Sequence, residues 1–102
     1  MKLRVTPEAE AQIAEIDRWW RENRLAAPDL FMDELAVAFD LIARLPGAGR
    51  RHRTAGVPGL RRLLLRATRY HVYYAPVDER TLFVLAVWSA VRGSGPDLRA
   101  TV

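Results

Sequence analysis

The apolar positions change period partway along the chain. Between Pro7 and Leu45 they recur three and four residues apart, and from Leu60 onward they fall in short runs rich in valine, tyrosine, phenylalanine and leucine. The first spacing is that of amphipathic helices and the second that of strands. Ala9, Ile13, Ile16 and Trp20 share one helical face, which predicts a helix from Pro7 to about Asn23. Thr6 is suited to cap it, Pro7 to open its first turn, and Glu8 and Glu10 to complement its dipole. A second helix is predicted from Pro28 or Asp29 to about Leu45. Its stripe is Phe31, Leu35, Ala38, Ile42 and Leu45, widened by Leu30, Val37 and Leu41, and Pro46-Gly47 stops it. A short link between two such helices implies an antiparallel hairpin.

Leu3-Arg4-Val5 alternates as a short strand. Leu60–Arg66, Tyr70–Ala75 and Thr81–Ser89 read as three more, joined by turn-length links into an antiparallel meander, with Pro76 ending the middle one. The expected fold is therefore α+β in the order β-α-α-β-β-β, a helical hairpin packed on a small antiparallel sheet with the first strand beside a later one. The whole chain, residues 1–102, reads as a single domain. Half of the residues are apolar, as a globule requires, and there is no cysteine, which removes disulfides and thiol chemistry. The start is not that of a signal peptide and no apolar run spans a bilayer, so a cytoplasmic protein without a membrane partner is expected.

Charge separates along the chain. Residues 1–40 carry nine acids and five bases, whereas the 37 residues from Leu41 to Val77 carry eight arginines and no acid. Such a split suggests two surfaces with different partners. The loop from Pro46 to Gly59 holds four glycines, two prolines and three arginines. Long loops of this kind are often functional. On the strand that follows, alternation puts Arg62 and Arg66 on one face and Arg61 on the other. Trp19 and Trp20 lie about 100° apart on their helix, so both cannot enter one core. No glycine-rich phosphate loop, metal-spaced histidine or carboxylate cluster, or nucleophile elbow is present; no cofactor and no metal are expected.

Four segments in series, Leu45-Pro46-Gly47-Ala48-Gly49-Arg50, Gly59-Leu60-Arg61-Arg62-Leu63, Arg69-Tyr70-His71-Val72-Tyr73-Tyr74 and Val84 through Arg92, resemble the ParE/RelE toxins of bacterial type II toxin–antitoxin modules. The resemblance runs from about Leu3 to Leu98. The Leu-Pro-Gly-x-Gly-Arg turn looks more like the ParE branch, as does the absence of the lysines and chain-end histidine or tyrosine of RelE-like nucleases. The resemblance implies a toxin that inhibits DNA gyrase and is neutralised by a cognate antitoxin. Target binding would then involve Arg50, Arg51, Arg62, Arg66 and Arg92, and antitoxin binding Trp19, Trp20 and Phe31. The alternative is a RelE-like endoribonuclease acting on messenger RNA at the ribosome, with Arg61, Arg69, His71, Tyr73 and Arg92 as its catalytic set. The chain is an enzyme only in that second case.

Overall fold

The structure, a computed structural model, describes residues 1–54, 56–91, 93 and 95–98. Strand β1 spans Lys2–Val5, helix α1 Pro7–Asn23 and helix α2 Leu30–Arg44. A 3-10 turn at Pro46–Ala48 leads into β2, Arg50–Arg51, and then come β3 (Arg61–Leu65), β4 (Tyr70–Pro76) and β5 (Thr81–Ser89). The five strands form one sheet in the order β1-β5-β4-β3-β2.

The expected element order holds, with two differences of detail. The sheet is mixed, not wholly antiparallel: β1 runs parallel to β5, Lys2 opposite Thr81 and Val5 opposite Val84. A first strand that returns to a meander only after two helices is free of the hairpin constraint that makes the other pairs antiparallel. The arginine loop also contains a strand, because Arg50 and Arg51 pair with Arg62 and Arg61.

Both helix starts follow their local chemistry to different degrees. Thr6 Oγ1 accepts the Ala9 N–H at 3.1 Å, and its own N–H extends the sheet to the Val84 carbonyl at 3.0 Å. Asp29 precedes α2 but makes no capping bond; it holds Arg21 at 2.7 Å, while Arg21 also contacts Asp17 at 3.2 Å. That pair of contacts ties the last turn of α1 to the start of α2. The helices cover one sheet face. Phe31, Leu35, Ala38 and Ile42 meet Leu65, Val72, Tyr74, Leu82, Val84 and Val87 in the main core. The buried stripe of α2 is narrower than the apolar pattern suggested: Leu30, Val37 and Leu45 are exposed. Val37 lies six residues, about 120°, around the helix from Phe31, and the sheet cannot reach it.

The other face is only partly covered. Val57 from the arginine loop and Leu60 just after it, together with Leu98, pack over Tyr73, Ala75 and Ala86 to make a second, smaller core. At a bulge between Tyr73 and Tyr74, Ala86 stands opposite Tyr73 and Val84 opposite Tyr74, so Leu85 of β5 is the extra residue.

Two side chains pin turns that the backbone alone would leave loose. The Glu34 carboxylate accepts the N–H groups of Ala67 and Thr68 at 2.8 and 3.0 Å and the Thr68 hydroxyl at 2.6 Å, so α2 holds the β3–β4 turn. Arg69 in that turn has φ 68°, a left-handed conformation uncommon for a side chain of its size. Gln12 Oε1 accepts the Val87 N–H at 2.8 Å, filling a ladder position on β5 beyond the reach of β1.

Candidate functional site

The Leu45–Arg50 turn is built around one hydroxyl. Alternation sends Tyr74 to the helix-covered face, and a buried phenol requires partners. Its hydroxyl donates to the Pro46 carbonyl at 2.7 Å and accepts the Gly49 N–H at 2.8 Å. Burial pushes the phenol pKa above its usual value, against smaller lowering effects of the Gly49 contact and the Arg61 charge. A Cβ on Gly49 would stand 2.8 Å from the Tyr74 hydroxyl and 2.9 Å from the Arg62 carbonyl, so close approach is the reason for glycine here. Arg61 completes the lock by donating to the Gly49 carbonyl at 2.7 Å. The turn carrying the family resemblance is thus a latch between β4, β3 and the start of β2. Sequence reasoning did not single out Tyr74; its core-facing parity beside a glycine-rich turn was the available signal.

Beyond the latch, β2 and β3 present arginines. Arg50 and Arg62 are direct cross-strand partners. With Ala48, Leu63, Leu64, Arg66 and His71, they line a hollow of about 430 Å³ on the less covered side of the sheet. No ion pair holds Arg50, Arg62 or Arg66 to any described carboxylate. The His71 imidazole is pushed below its ordinary pKa, chiefly by desolvation and then by Arg62, His52 and Arg69. Arg51 lines a separate hollow of about 550 Å³ with His52, Arg53 and Arg61. Of the expected target-binding set the fold therefore gathers Arg50, Arg62 and Arg66 and sets Arg51 apart; Arg92 lies outside the described residues.

The expected nuclease set is dispersed. His71 and Tyr73 share a face, their ring centroids 5.9 Å apart. Tyr73, however, is only 3% exposed, covered by the small second core and by the His52 ring at 5.6 Å. Arg61 is turned to Gly49, and Arg69 sits in the β3–β4 turn beyond the strand end. A general base, a general acid and a cation converging on one phosphate is what phosphodiester cleavage needs. Among the described residues Arg61, His71 and Tyr73 do not converge in that way. No group of three or more histidine, cysteine, aspartate or glutamate side chains suited to a metal occurs among the described residues.

The third region is on the helices. Trp19 is 43% exposed, with the Arg24 guanidinium 4.9 Å from its ring centroid. It borders a groove of about 410 Å³ between α1 and the end of β5, lined also by Gln12, Glu15, Ile16, Val87 and Trp88. Trp20 and Phe31, expected alongside Trp19 as contact residues, face inward. Trp20 donates its indole N–H to the Tyr70 hydroxyl at 3.2 Å, and Phe31 packs edge-on against the Tyr70 ring at 5.1 Å with no exposed surface. Helical rotation explains the division, since the stripe that buries Trp20 leaves Trp19 at its border.

Comparison with known proteins agrees with this architecture. The fold is similar to a chain of the solved structure "Chromosomal ParDE TA system from P. aeruginosa", with a TM-score of 0.69 at 21% sequence identity, over 87% of this chain and 95% of that one. No curated protein matches. No helix among the described residues is long and apolar enough to cross a membrane. The family profile described as "ParE toxin of type II toxin-antitoxin system, parDE" matches residues 3–92, and the chain belongs to that toxin family.

Proposed function

We propose that this ParE-family toxin acts in the cytoplasm by inhibiting DNA gyrase, and that direct binding of a cognate antitoxin neutralises it. The observation that carries the reading is the family match over residues 3–92 on a surface where the nuclease candidates are split: Arg61 is committed to Gly49 and Tyr73 is buried. Inhibition by binding needs no catalytic group. It needs a surface able to engage a target, and Arg50, Arg62 and Arg66, without an ion pair among the described residues, supply one. The antitoxin reading rests on a different surface. Trp19 beside an open groove has the size and amphipathic character of an interface anchor.

The test is pulse-labelling of DNA and protein synthesis after induction of the chain alone in a bacterium, paired with a supercoiling assay using purified protein and gyrase. Early failure of DNA synthesis with loss of supercoiling activity is the expected result. Early failure of translation, with messenger RNA cleaved at the ribosome, would replace this reading with that of an endoribonuclease.

A further inference from the structure

We infer that the hollow lined by Arg50, Arg62, Arg66 and His71 is a binding site for the phosphodiester backbone of duplex DNA. Its setting in the cell rests on the gyrase reading, because gyrase works on a DNA duplex, but the site itself is argued from its own residues.

The charges are unspent. Arg21 and Arg44 on the helices are paired with aspartates, whereas Arg50, Arg62 and Arg66 have no such partner among the described residues. Glu34 on α2 reaches the turn that follows Arg66, but both its oxygens accept from Ala67 and Thr68. Three guanidinium groups held near one another without a counter-charge repel unless an anion enters, and a bidentate fork matches phosphate oxygens well. The His71 pKa is lowered chiefly by desolvation and, after it, by the charges of Arg62, His52 and Arg69 around it.

The arrangement fits a run of phosphates more closely than a single one. Arg50 and Arg62 are cross-strand partners, with Cα atoms about 5 Å apart. Arg66 lies four residues further along, about 13 Å at strand spacing. In duplex DNA one strand places a charge about every 3.4 Å along the axis, so this span covers roughly four nucleotide steps.

The lining also separates duplex from single strand. Binding to unpaired nucleotides uses exposed aromatic faces on which bases stack. Here Tyr73 is buried, His71 is half-buried and set edge-on to it, and besides the arginines the hollow is lined by Ala48, Leu63 and Leu64. Contacts limited to the backbone carry no sequence preference, which suits a ligand recognised by charge alone.

The experiment measures binding of the purified chain to a fluorescein-labelled DNA duplex by anisotropy across a salt series, without gyrase. Weak, sequence-independent binding is expected, with a Kd on the order of 10⁻⁴–10⁻⁶ M near physiological salt. Arg62→Gln should reduce the slope of log K against log salt by about 1. The triple variant Arg50→Gln, Arg62→Gln, Arg66→Gln should lose binding. A control triple, Arg4→Gln, Arg18→Gln, Arg80→Gln, removes the same charge from exposed sites elsewhere and should retain it. Circular dichroism establishes that all variants are folded. Absence of duplex binding, equal loss in the control triple, or tighter binding of a single-stranded RNA through the same three arginines would each overturn the inference. Supercoiling inhibition is scored separately: a wild-type chain that inhibits gyrase without binding duplex sinks the DNA site alone, and one that binds duplex without inhibiting gyrase sinks the gyrase reading alone.

Discussion

The adjacent tyrosines of β4 face opposite sides of one sheet, and the two sides differ in kind. Tyr74 enters a helix-covered core in which its hydroxyl is fully used, tying Pro46 to Gly49. Tyr73 lies under a small patch of loop residues, between the rings of His52 and His71, near arginines that have no ion-pair partner among the described residues. One side is closed by apolar area and satisfied hydrogen bonds. The other carries its charge outward. The larger core lies on the first, and the surfaces proposed for partners lie on the second and along the border marked by Trp19. Substitutions that separate stability from binding therefore test the division directly.

The largest effect belongs to the covered side. Phe31→Ala should lower unfolding free energy by about 3–5 kcal/mol, since a fully buried ring leaves a cavity beneath α2. A urea titration measures it, and a change below ~1 kcal/mol would mean that the hairpin is not seated as described. Next comes the latch. Tyr74→Phe strips partners from the Pro46 carbonyl and the Gly49 N–H and should cost about 1–3 kcal/mol. Tyr73 makes no hydrogen bond to a described residue through its hydroxyl, so Tyr73→Phe should change the same urea midpoint far less. Equal losses for the two would erase the contrast between the faces.

On the outer border, Trp19→Ala should weaken antitoxin binding by roughly 2 kcal/mol, about thirtyfold, if Trp19 is an interface anchor. Isothermal titration with the antitoxin reads the affinity, and the unfolding midpoint should move little because the ring is 43% exposed. An unchanged affinity would remove Trp19 from the interface.

The smallest effect is a pH dependence from His71. Its pKa is lowered in the folded chain by desolvation, Arg62, His52 and Arg69, while Tyr73 and Trp88 flank it on the neighbouring positions. The unfolded chain therefore takes up its proton first as pH falls. Stability should be unaffected by this group above the ordinary histidine value of 6.5 and should decline as pH drops from there toward the lower folded value. His71→Gln should flatten that part of the profile in thermal unfolding between pH 7.5 and 5. A profile unchanged by the substitution would assign the acid limb to other groups.

Much of the architecture was legible because it depends on local pattern. Thr6-Pro7 and Pro46-Gly47 mark helix boundaries through backbone chemistry that needs no distant partner. The period of the apolar residues identified both helices and the three-strand meander, and alternation put Arg62 and Arg66 on one face and Arg61 on the other. The residues of the candidate surfaces were legible as types but not as a set. Arg61 and Arg62 are neighbours in the chain, yet one serves the latch and the other lines the hollow. Trp20 and Phe31 stood on the apolar stripes of their helices, and the structure buries them against Tyr70 although the family resemblance had implied a contact role.

By itself, then, the amino-acid sequence determined where helices and strands begin, the α+β class, the charge imbalance between the two parts of the chain, and the resemblance to ParE toxins. Only the tertiary structure decided that β1 lies parallel to β5, that β2 pairs Arg50 with Arg62, that Glu34 holds the β3–β4 turn, and that Tyr74 closes on Gly49. The reason is physical. Helix ends and strand parity arise from steric and hydrogen-bonding preferences within a few residues, whereas each of the latter contacts joins groups 12 or more positions apart. Their loop-closure cost is met cooperatively by the packing of the whole core.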